Sequence, residues 1–518
     1  MAVLVEKARP ALPRLEEKMA SAKTLTPAEI SMIKGMLSLA PRPKDQQILA
    51  HFTRPDRDLN HRVIGQIRKT ARTGAIAPAS ETAVRAFMIA NRLRPHQDAS
   101  DFAKISPGPT GSKIDLRFLL LDWWPVGQGL FSSGALLAEN GFRFNWVYDC
   151  GTSAKDSFLT AAIGDCQSRW SSLGMSKIDL AILSHFDHDH ISGFTRLVRS
   201  APIGTILLPY LTQLQRLVLA LQQGVSADDA EFGFYLDPVG YLRGLEGGEI
   251  GDIVFVLPSD PDDGVPPAPL DPVPDYPGSP EVRLKYPRTD APEATDDVHS
   301  QTAANLRVYY LERRGVITVP FVWEFLPYND ASVLPKVTKA FEVQASRLMK
   351  DLLTKPAARA VTLAALKSLY IKHFGKSSKN QNLISLFVYS GPLDQSAPLL
   401  WQDSDRPIGL RTGGNRFAQM YTGDGTLGAG KQTADLENHY RPGNRLSRAG
   451  VLQVMHHGAE GNWHSGLAPI LNPEASIFSS DPDHKKLKHP NAAVLRDFWP
   501  YHPVQVDQAL GLHIVCAF

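Results

Sequence analysis

Leu183-Ser184-His185-Phe186-Asp187-His188-Asp189-His190-Ile191-Ser192-Gly193 packs three imidazoles and two carboxylates into six consecutive residues. It follows directly on Lys177-Ile178-Asp179-Leu180-Ala181-Ile182, whose apolar, partly alternating pattern reads as a buried strand running into a loop. Such a loop can turn several side chains toward one point, and a mixed nitrogen and oxygen donor set suits a divalent transition metal. A solvated turn is also rich in His and Asp. Four potential ligands spaced as HxDxDH, beside a strand and closed by Gly193, favour the metal site. His188 falls between ligand positions and is expected to face solvent or to support the ligands from behind.

Further strands end in ligand-capable groups on both sides of this loop. Upstream, the apolar stretches around Leu136 and Val147 read as strands joined by Glu139-Asn140-Gly141, and the second ends at Asp149-Cys150-Gly151. A helix over residues 155–172 precedes the HxDxDH strand. Downstream come a helix through Phe194 to Arg199, a strand at 204–208, and a longer helix around 210–224. This alternation predicts a layered α/β arrangement. Later strands at 382–389, 419–421, 451–455 and 475–479 lead into Asp424, into His456-His457, and into a loop holding His484 and His489. A core strand needs none of these groups, and their recurrence suggests one rim carrying a metal site.

The rest of the chain sets bounds. Its 518 residues leave room for about two to four domains. The net charge of +2 excludes a general polycation, yet residues 1–100 hold 17 Lys and Arg against 9 Asp and Glu, so a polyanion-facing surface belongs there if anywhere. Cys150, Cys166 and Cys516 suggest neither a disulfide framework nor a zinc finger, and a reducing, cytoplasmic setting fits. The opening residues lack the apolar core of a signal peptide, and no run of about 18 apolar residues predicts a membrane span.

Residues 1–105 read as a small all-helical domain. Thr26, Pro27 and Glu29 form a capping-box start for one helix, a second follows Asp45, and Asn60 caps a third, with Val63, Ile64 and Ile67 inward and Arg62, Gln66, Arg68 and Lys69 outward. Two short helices with a basic outer face admit a helix-turn-helix; an ordinary solvated face on a partner-binding domain is the preferred reading. Residues 104–113 form a Pro/Gly/Ser linker to a second domain, 106–518. Within it, 251–300 holds 11 Pro and 11 acidic residues and reads as an extended or mobile insertion, and 330–374 reads as helical, bounded by Pro335 and Pro356. The whole insertion is placed at about 225–375.

VGQG at 126–129, YDCG at 148–151, SHFDHDHISG at 184–193, NLIS at 382–385, TGDG at 422–425, HHG at 456–458 and HPN at 489–491 together resemble the metallo-β-lactamase superfamily. Within it they resemble the metal-dependent hydrolase domain of the ComEC-type DNA-uptake (competence) proteins. The resemblance implies an αββα sandwich with a large insertion. It implies His185, Asp187, Asp189, His190 and His489 as metal ligands, Asp424 as a bridging carboxylate, and His456 or His457 near the metal or the leaving group. Asn382 and Ser385 stand where other branches supply a further ligand His, which leaves the first metal position weak or open. Leu130 replaces the acidic residue of the family's GQGD. The competence proteins' membrane channel is missing, and the N-terminal helical domain has no counterpart there, so DNA uptake is not implied.

The function expected is a metal-dependent hydrolase, foremost a phosphodiesterase or nuclease acting on nucleic acid or another phosphodiester. Two divalent ions, Zn²⁺ or Mn²⁺ with Mg²⁺ possible, would activate water, Asp189 or Asp424 would orient it, and His456 or His457 would protonate the leaving oxygen. Two other classes remain open: hydrolysis of a small ester, lactone or cyclic nucleotide, and a non-catalytic protein that binds nucleic acid or a protein partner through the helical domain. No membrane partner is expected.

Overall fold

The computed structural model describes residues 25–90 apart from 54–58, 60–61 and 70–74. It also describes 116–518 apart from 140, 224, 226–231, 247, 261–264, 269–282, 290–305, 320–321, 335–337, 356–358, 375–384, 394–399, 404–415 and 485–486. The chain divides into two compact units, Met1–Asn91 and Arg92–Phe518. The linker expected at 104–113, the Asn60 cap, and Pro335 and Pro356 lie outside the described residues.

The first unit is helical: α1 (Pro27–Leu37), α2 (Asp45–Ala50), α3 (Arg62–Arg68) and α4 (Glu81–Ala90). The capping box forms as the sequence predicts, with the Glu29 N–H donating to the Thr26 hydroxyl at 3.2 Å and the Thr26 N–H to the Glu29 carboxylate at 2.8 Å. Ile64 and Ile67 are buried with Ile33, Met36, Ile48 and Leu49, while Gln66, Arg68 and Lys69 are exposed. Arg68 pairs with Asp45, which commits one of the basic groups on α3 to the neighbouring helix. The sequence reading missed α4. Its signal is Ser80, whose hydroxyl accepts the Ala83 N–H just ahead of the apolar run from Val84.

In the second unit β1 (Leu116–Trp123), β2 (Phe131–Ala138) and β3 (Arg143–Cys150) form an antiparallel meander. The chain then crosses by α5 (Asp156–Ser172) to β4 (Ile178–Ile182) and by α6 (His188–Ile191) and α7 (Phe194–Ser200) to β5 (Ile203–Pro209). It reaches β6 (Ile250–Val256) through α8 (Gln213–Gln223), α9 (Phe232–Leu236) and α10 (Pro238–Arg243). Helical crossovers return the chain to the same end each time, so β3 to β6 run parallel. Next come β7 (Arg283–Arg288), β8 (Arg307–Val319), β9 (Trp323–Asn329), α11 (Lys339–Thr354), α12 (Arg359–Phe374), β10 (Leu386–Pro392), β11 (Leu400–Asp403) and β12 (Ala418–Tyr421). The chain closes through α13 (Gly430–Tyr440), α14 (Arg445–Arg448), β13 (Ala449–Gln453), α15 (Leu467–Leu471), β14 (Ala475–Ser479), α16 (Ala492–Asp497), β15 (Pro503–Val506) and β16 (Leu512–Ala517).

These strands hydrogen-bond in one mixed sheet, ordered β11-β16-β1-β2-β3-β4-β5-β6-β8-β9-β10-β12-β13-β14-β15, with β7 added on β8. The sheet folds over on itself. β8 makes the corner: its first residues pair with β6 and its last with β9. As a result β3 faces strands far along the order. The Trp146 indole N–H donates to the Tyr421 hydroxyl at 3.2 Å, the Tyr148 hydroxyl to the Leu386 carbonyl at 2.7 Å, and Phe144 meets Phe325. Between the two halves Leu121, Trp146, Leu180, Leu207, Trp323, Val388 and Ile477 form one apolar core. Alternate residues of β3 to β6, such as Val147, Ala181, Ile206 and Ile253, point the other way, onto α5, α7, α8, α11 and α12. On the second half, Tyr440 of α13 meets Tyr328 and Tyr389, and Phe498 after α16 meets Phe478.

The stretch 225–375, read from sequence as an insertion, supplies β6, β8 and β9 of the sheet. Residues 251–300 likewise contain most of β6 and all of β7, while much of the rest of that stretch lies outside the described residues. Among the described residues no helix is long and apolar enough to cross a membrane. Since Trp146 is wholly buried where the two sheet halves meet, Trp146→Ala is expected to cost about 3–5 kcal/mol of unfolding free energy. Urea denaturation measures it, and a loss below about 1 kcal/mol would contradict this packing.

Candidate metal centre

The parallel strands deliver polar groups to one place. β3 ends on Asp149, β4 runs into His185 to His190, β12 into Asp424, β13 into His456 and His457, and β14 ends on Ser479. Asp149, Gly423, His456, His457 and Gly458 all have left-handed backbone, with φ of 55°, 51°, 44°, 57° and 81°. For the non-glycine residues this is a strained conformation that persists where surrounding structure enforces it, and such residues gather at functional sites.

Asp424 is the centre of the cluster. It is wholly buried, and neither carboxylate oxygen has a hydrogen-bond partner of acceptable geometry. His190 Nε2 approaches Oδ1 at 3.0 Å and His457 Nε2 at 3.4 Å, while Asp189 Oδ2 lies 3.4 Å from the same His457 nitrogen. One donor atom from each of Asp189, His190, Asp424 and His457 lies within 4.8 Å of the other three, so the four could hold a metal ion. Ligands around a tetrahedral ion with bonds of about 2.0–2.1 Å stand about 3.4 Å apart, which matches these spacings.

Each inward histidine is fixed through its other ring nitrogen. His190 Nδ1 donates to Asp149 Oδ2 at 2.7 Å, and His457 Nδ1 donates to the Ser479 carbonyl at 2.6 Å. The Ser184 hydroxyl gives its proton to Asp149 Oδ2 at 2.6 Å and so accepts from His185 Nδ1 at 2.7 Å. His456 Nδ1 donates to Asn462 Oδ1 at 2.9 Å. In every case Nε2 is left facing the cluster, which is how protein scaffolds orient metal-binding imidazoles. The Nε2 atoms of His185, His190 and His457 are buried without a hydrogen-bond partner.

Charge is crowded here. Burial, with Asp189 and Asp424 beside it, pushes the Asp187 carboxyl well above the usual carboxylate range. Burial acts in the same direction on Asp189 but is outweighed by His457 and His190, which hold it down to about 2. Asp424 likewise sits well below the ordinary range, because His456, His457 and His190 overcome its burial. His190 is raised: burial opposes its charge, and Asp424 and Asp149 prevail. Burial and the neighbouring imidazoles bring His185 and His489 down to about 3.

The sequence-predicted residues therefore divide. Asp189, His190 and Asp424 come together as expected, and His457, left undecided against His456, joins them. His185 and Asp187 sit 3.7 Å apart beside the other oxygen of Asp424, which lies 3.8 Å from His185. His489 is buried with Nδ1 unpartnered, its ring 5.7 Å from His456 and 6.3 Å from His457. His188 is exposed, as its spacing predicts. Ser385 accepts the Asp424 N–H at 3.1 Å, and Asn382 lies outside the described residues. Leu130 is buried in the inner core and meets the site through its backbone: its N–H donates to the Asp189 carbonyl at 3.2 Å and its carbonyl accepts the Gly151 N–H at 3.0 Å.

Sequence reasoning missed the supports. The Gln453 side-chain oxygen accepts the N–H groups of Thr422 and Gly423, holding the turn that presents Asp424. Asn462 donates to the Asp424 and Gly425 carbonyls while accepting from His456. Single amides at such positions carry no sequence signal of these roles.

Gly151 lets two loops of the site approach closely. A Cβ there would stand 2.5 Å from backbone atoms of Asp189 and His190. Gly151→Ala is expected to cost about 1–3 kcal/mol of stability and to weaken divalent-metal binding, both read from melting curves with and without Zn²⁺; an unchanged curve would refute the close packing of these two loops. No protein-family model matches the chain, and no curated protein matches it.

Proposed function

We propose that the chain is a metal-dependent hydrolase with a metallo-β-lactamase-like centre, acting on phosphodiesters. The observation that carries this reading is the set of four histidines, each anchored through Nδ1 and each turning Nε2 toward a buried, unpartnered Asp424. Several carboxylates buried together are costly unless cations compensate them. The layering supports the αββα reading, with helices outside both halves of a sheet folded around one core. The phosphodiester class rests on the motif resemblance to the hydrolase domain of ComEC-type proteins.

Asp189, His190, Asp424 and His457 would hold a divalent ion, Zn²⁺ or Mn²⁺ with Mg²⁺ possible, and a bound ion supplies an acidified water and neutralises phosphate charge. The chain's own groups do the rest. Asp149 fixes the His190 ring, and the Ser479 carbonyl fixes the His457 ring. Asp189 and Asp424 present carboxylate oxygens that orient the attacking water and accept its proton. His489, buried beside His456 and His457 with its Nδ1 unpartnered, would be a further ligand, as the motif resemblance implies. Cys150, Cys166 and Cys516 are all buried and unpaired, which fits a cytoplasmic, reducing setting.

The test is hydrolysis of bis(p-nitrophenyl) phosphate, plasmid DNA and RNA with added Mn²⁺, Zn²⁺ or Mg²⁺. Metal-dependent cleavage that falls by about 10³-fold or more in Asp189→Ala is expected, the scale of losing a group that acts in the transition state. Turnover of a small carboxylic ester or lactone without phosphodiester cleavage would move the substrate class. Undiminished activity in Asp189→Ala would end the assignment.

A further inference from the structure

The chain leaves the metal edge at the end of β9 and comes back to it at the start of β10. Asn329 pairs with Leu386 across these strands, the Leu386 N–H donates to the Ser184 carbonyl at 2.7 Å, and Ser385 accepts the Asp424 N–H. Between the two strands lie α11 and α12. Phe341, early in α11, meets His373, late in α12, with ring centroids 5.6 Å apart. The helices therefore run antiparallel, and the end of the hairpin that holds Lys339 and Lys372 is the end joined to the metal edge. We propose that the outer face of this hairpin receives the sugar-phosphate backbone of a polynucleotide. The proposal rests on the phosphodiester reading above and narrows its substrate class.

Three observations carry it. Residues 336–379 hold ten Lys and Arg against two acidic residues, in a chain whose net charge is only +2. On α11 the exposed Lys339, Val343, Arg347 and Lys350 recur every three or four residues and so form one stripe, while Phe341, Ala345, Met349 and Leu352 are buried on the other side. From Lys339 to Lys350 the stripe runs for about 16 Å, the span of about four phosphates along one strand. α12 extends the face with exposed Lys367 and Lys372, and buries Leu366, Leu369 and Tyr370. Asp351 pairs with Lys355 at 2.8 Å, and Lys355, with Arg347 and Lys350 beside it, holds that carboxyl below the usual carboxylate range. Finally, Val343 and Val361 are 72% and 75% exposed, more than any other large apolar side chain among the described residues. Valine is a middling helix former, so neither propensity nor packing accounts for it on an outer face. Set among lysines, it offers apolar contact to sugars between phosphates.

This is a basic surface apart from residues 1–100, where the sequence directed attention and where Arg42 and Arg68 both pair with Asp45. A membrane is the rival polyanion. A helix that lies on a membrane must bury a broad apolar face in it, and the apolar faces of α11 and α12 are already packed into the core with α8. What remains outside is charge with two isolated valines, which suits a phosphate backbone.

The experiment measures binding of the full chain to a short labelled DNA duplex and to a short single-stranded RNA, by fluorescence anisotropy over a range of NaCl. EDTA is present throughout, so no metal-dependent cleavage intervenes. Wild type is expected to bind at least one of the two, with an affinity that falls steeply with salt. Lys339→Gln, Arg347→Gln and Lys350→Gln combined are expected to flatten the slope of log K against log salt by about three and to weaken binding about 100-fold or more near physiological salt. Lys367→Gln with Lys372→Gln should flatten it by about two. Glutamine keeps helix propensity at these exposed positions, and circular dichroism checks folding. Unchanged affinity and slope in the triple variant would overturn the proposal, as would a wild type that binds neither nucleic acid. Capture of phosphatidylserine vesicles in place of nucleic acid, lost in the same variant, would overturn it in favour of a membrane. Because binding is read without turnover, a chain that binds through the hairpin but hydrolyses nothing would end the hydrolase reading and leave this surface standing.

Discussion

Three carboxylates, those of Asp149, Asp187 and Asp424, are buried within one small region of this protein, with the half-buried Asp189 beside them. Like charges taken out of water repel strongly and are tolerated only when compensated. Much of the local structure answers that constraint. Asp149 is satisfied by Ser184 and His190, Asp189 lies 3.4 Å from His457 Nε2, and Asp424 is ringed by imidazole nitrogens without being hydrogen-bonded to them. The Asp424 oxygens and the Nε2 atoms of His185, His190 and His457 stay outside any closed hydrogen-bond network.

The fold explains how such a cluster is assembled. Parallel strands joined by helical crossovers bring successive strand ends to one edge, so polar residues placed just after a strand meet without any long excursion of the chain. One set of donors arrives on β3 and β4, the other on β12, β13 and β14, and the folded-over sheet brings the two edges together. The wall of aromatic side chains behind them, Trp146, Tyr148, Tyr421 and Trp323, fixes how the halves face. Site precision thus descends from core packing.

Much of this was legible in the sequence. The HxDxDH loop, the strand-end positions of Asp149, Asp424 and His456-His457, and the Thr26 capping box are local patterns whose physics is contained in a few neighbouring residues. What escaped was long-range. β6 and β7 fall in a stretch whose Pro and acidic content disguised them, and β8 and β9 in the wider segment read as an insertion, because their burial is decided by partners elsewhere in the sheet. The choice between His456 and His457 depended on two backbone dihedrals. Gln453, at the end of β13, and Asn462 look like ordinary amides until the turns they hold are seen in space.

The corner at β8 has a consequence for how the molecule holds together. Donors from the first half of the sheet and donors from the second meet only after the fold-over, so a cation bound at Asp424 would tie together two segments far apart in the chain. It would act as a reversible cross-link, closing a long loop that the unfolded chain would otherwise leave open. A ligand that binds only the native state adds to stability in proportion to the logarithm of its concentration. Metal supply would then set not only whether the centre can work but how long the sheet stays shut.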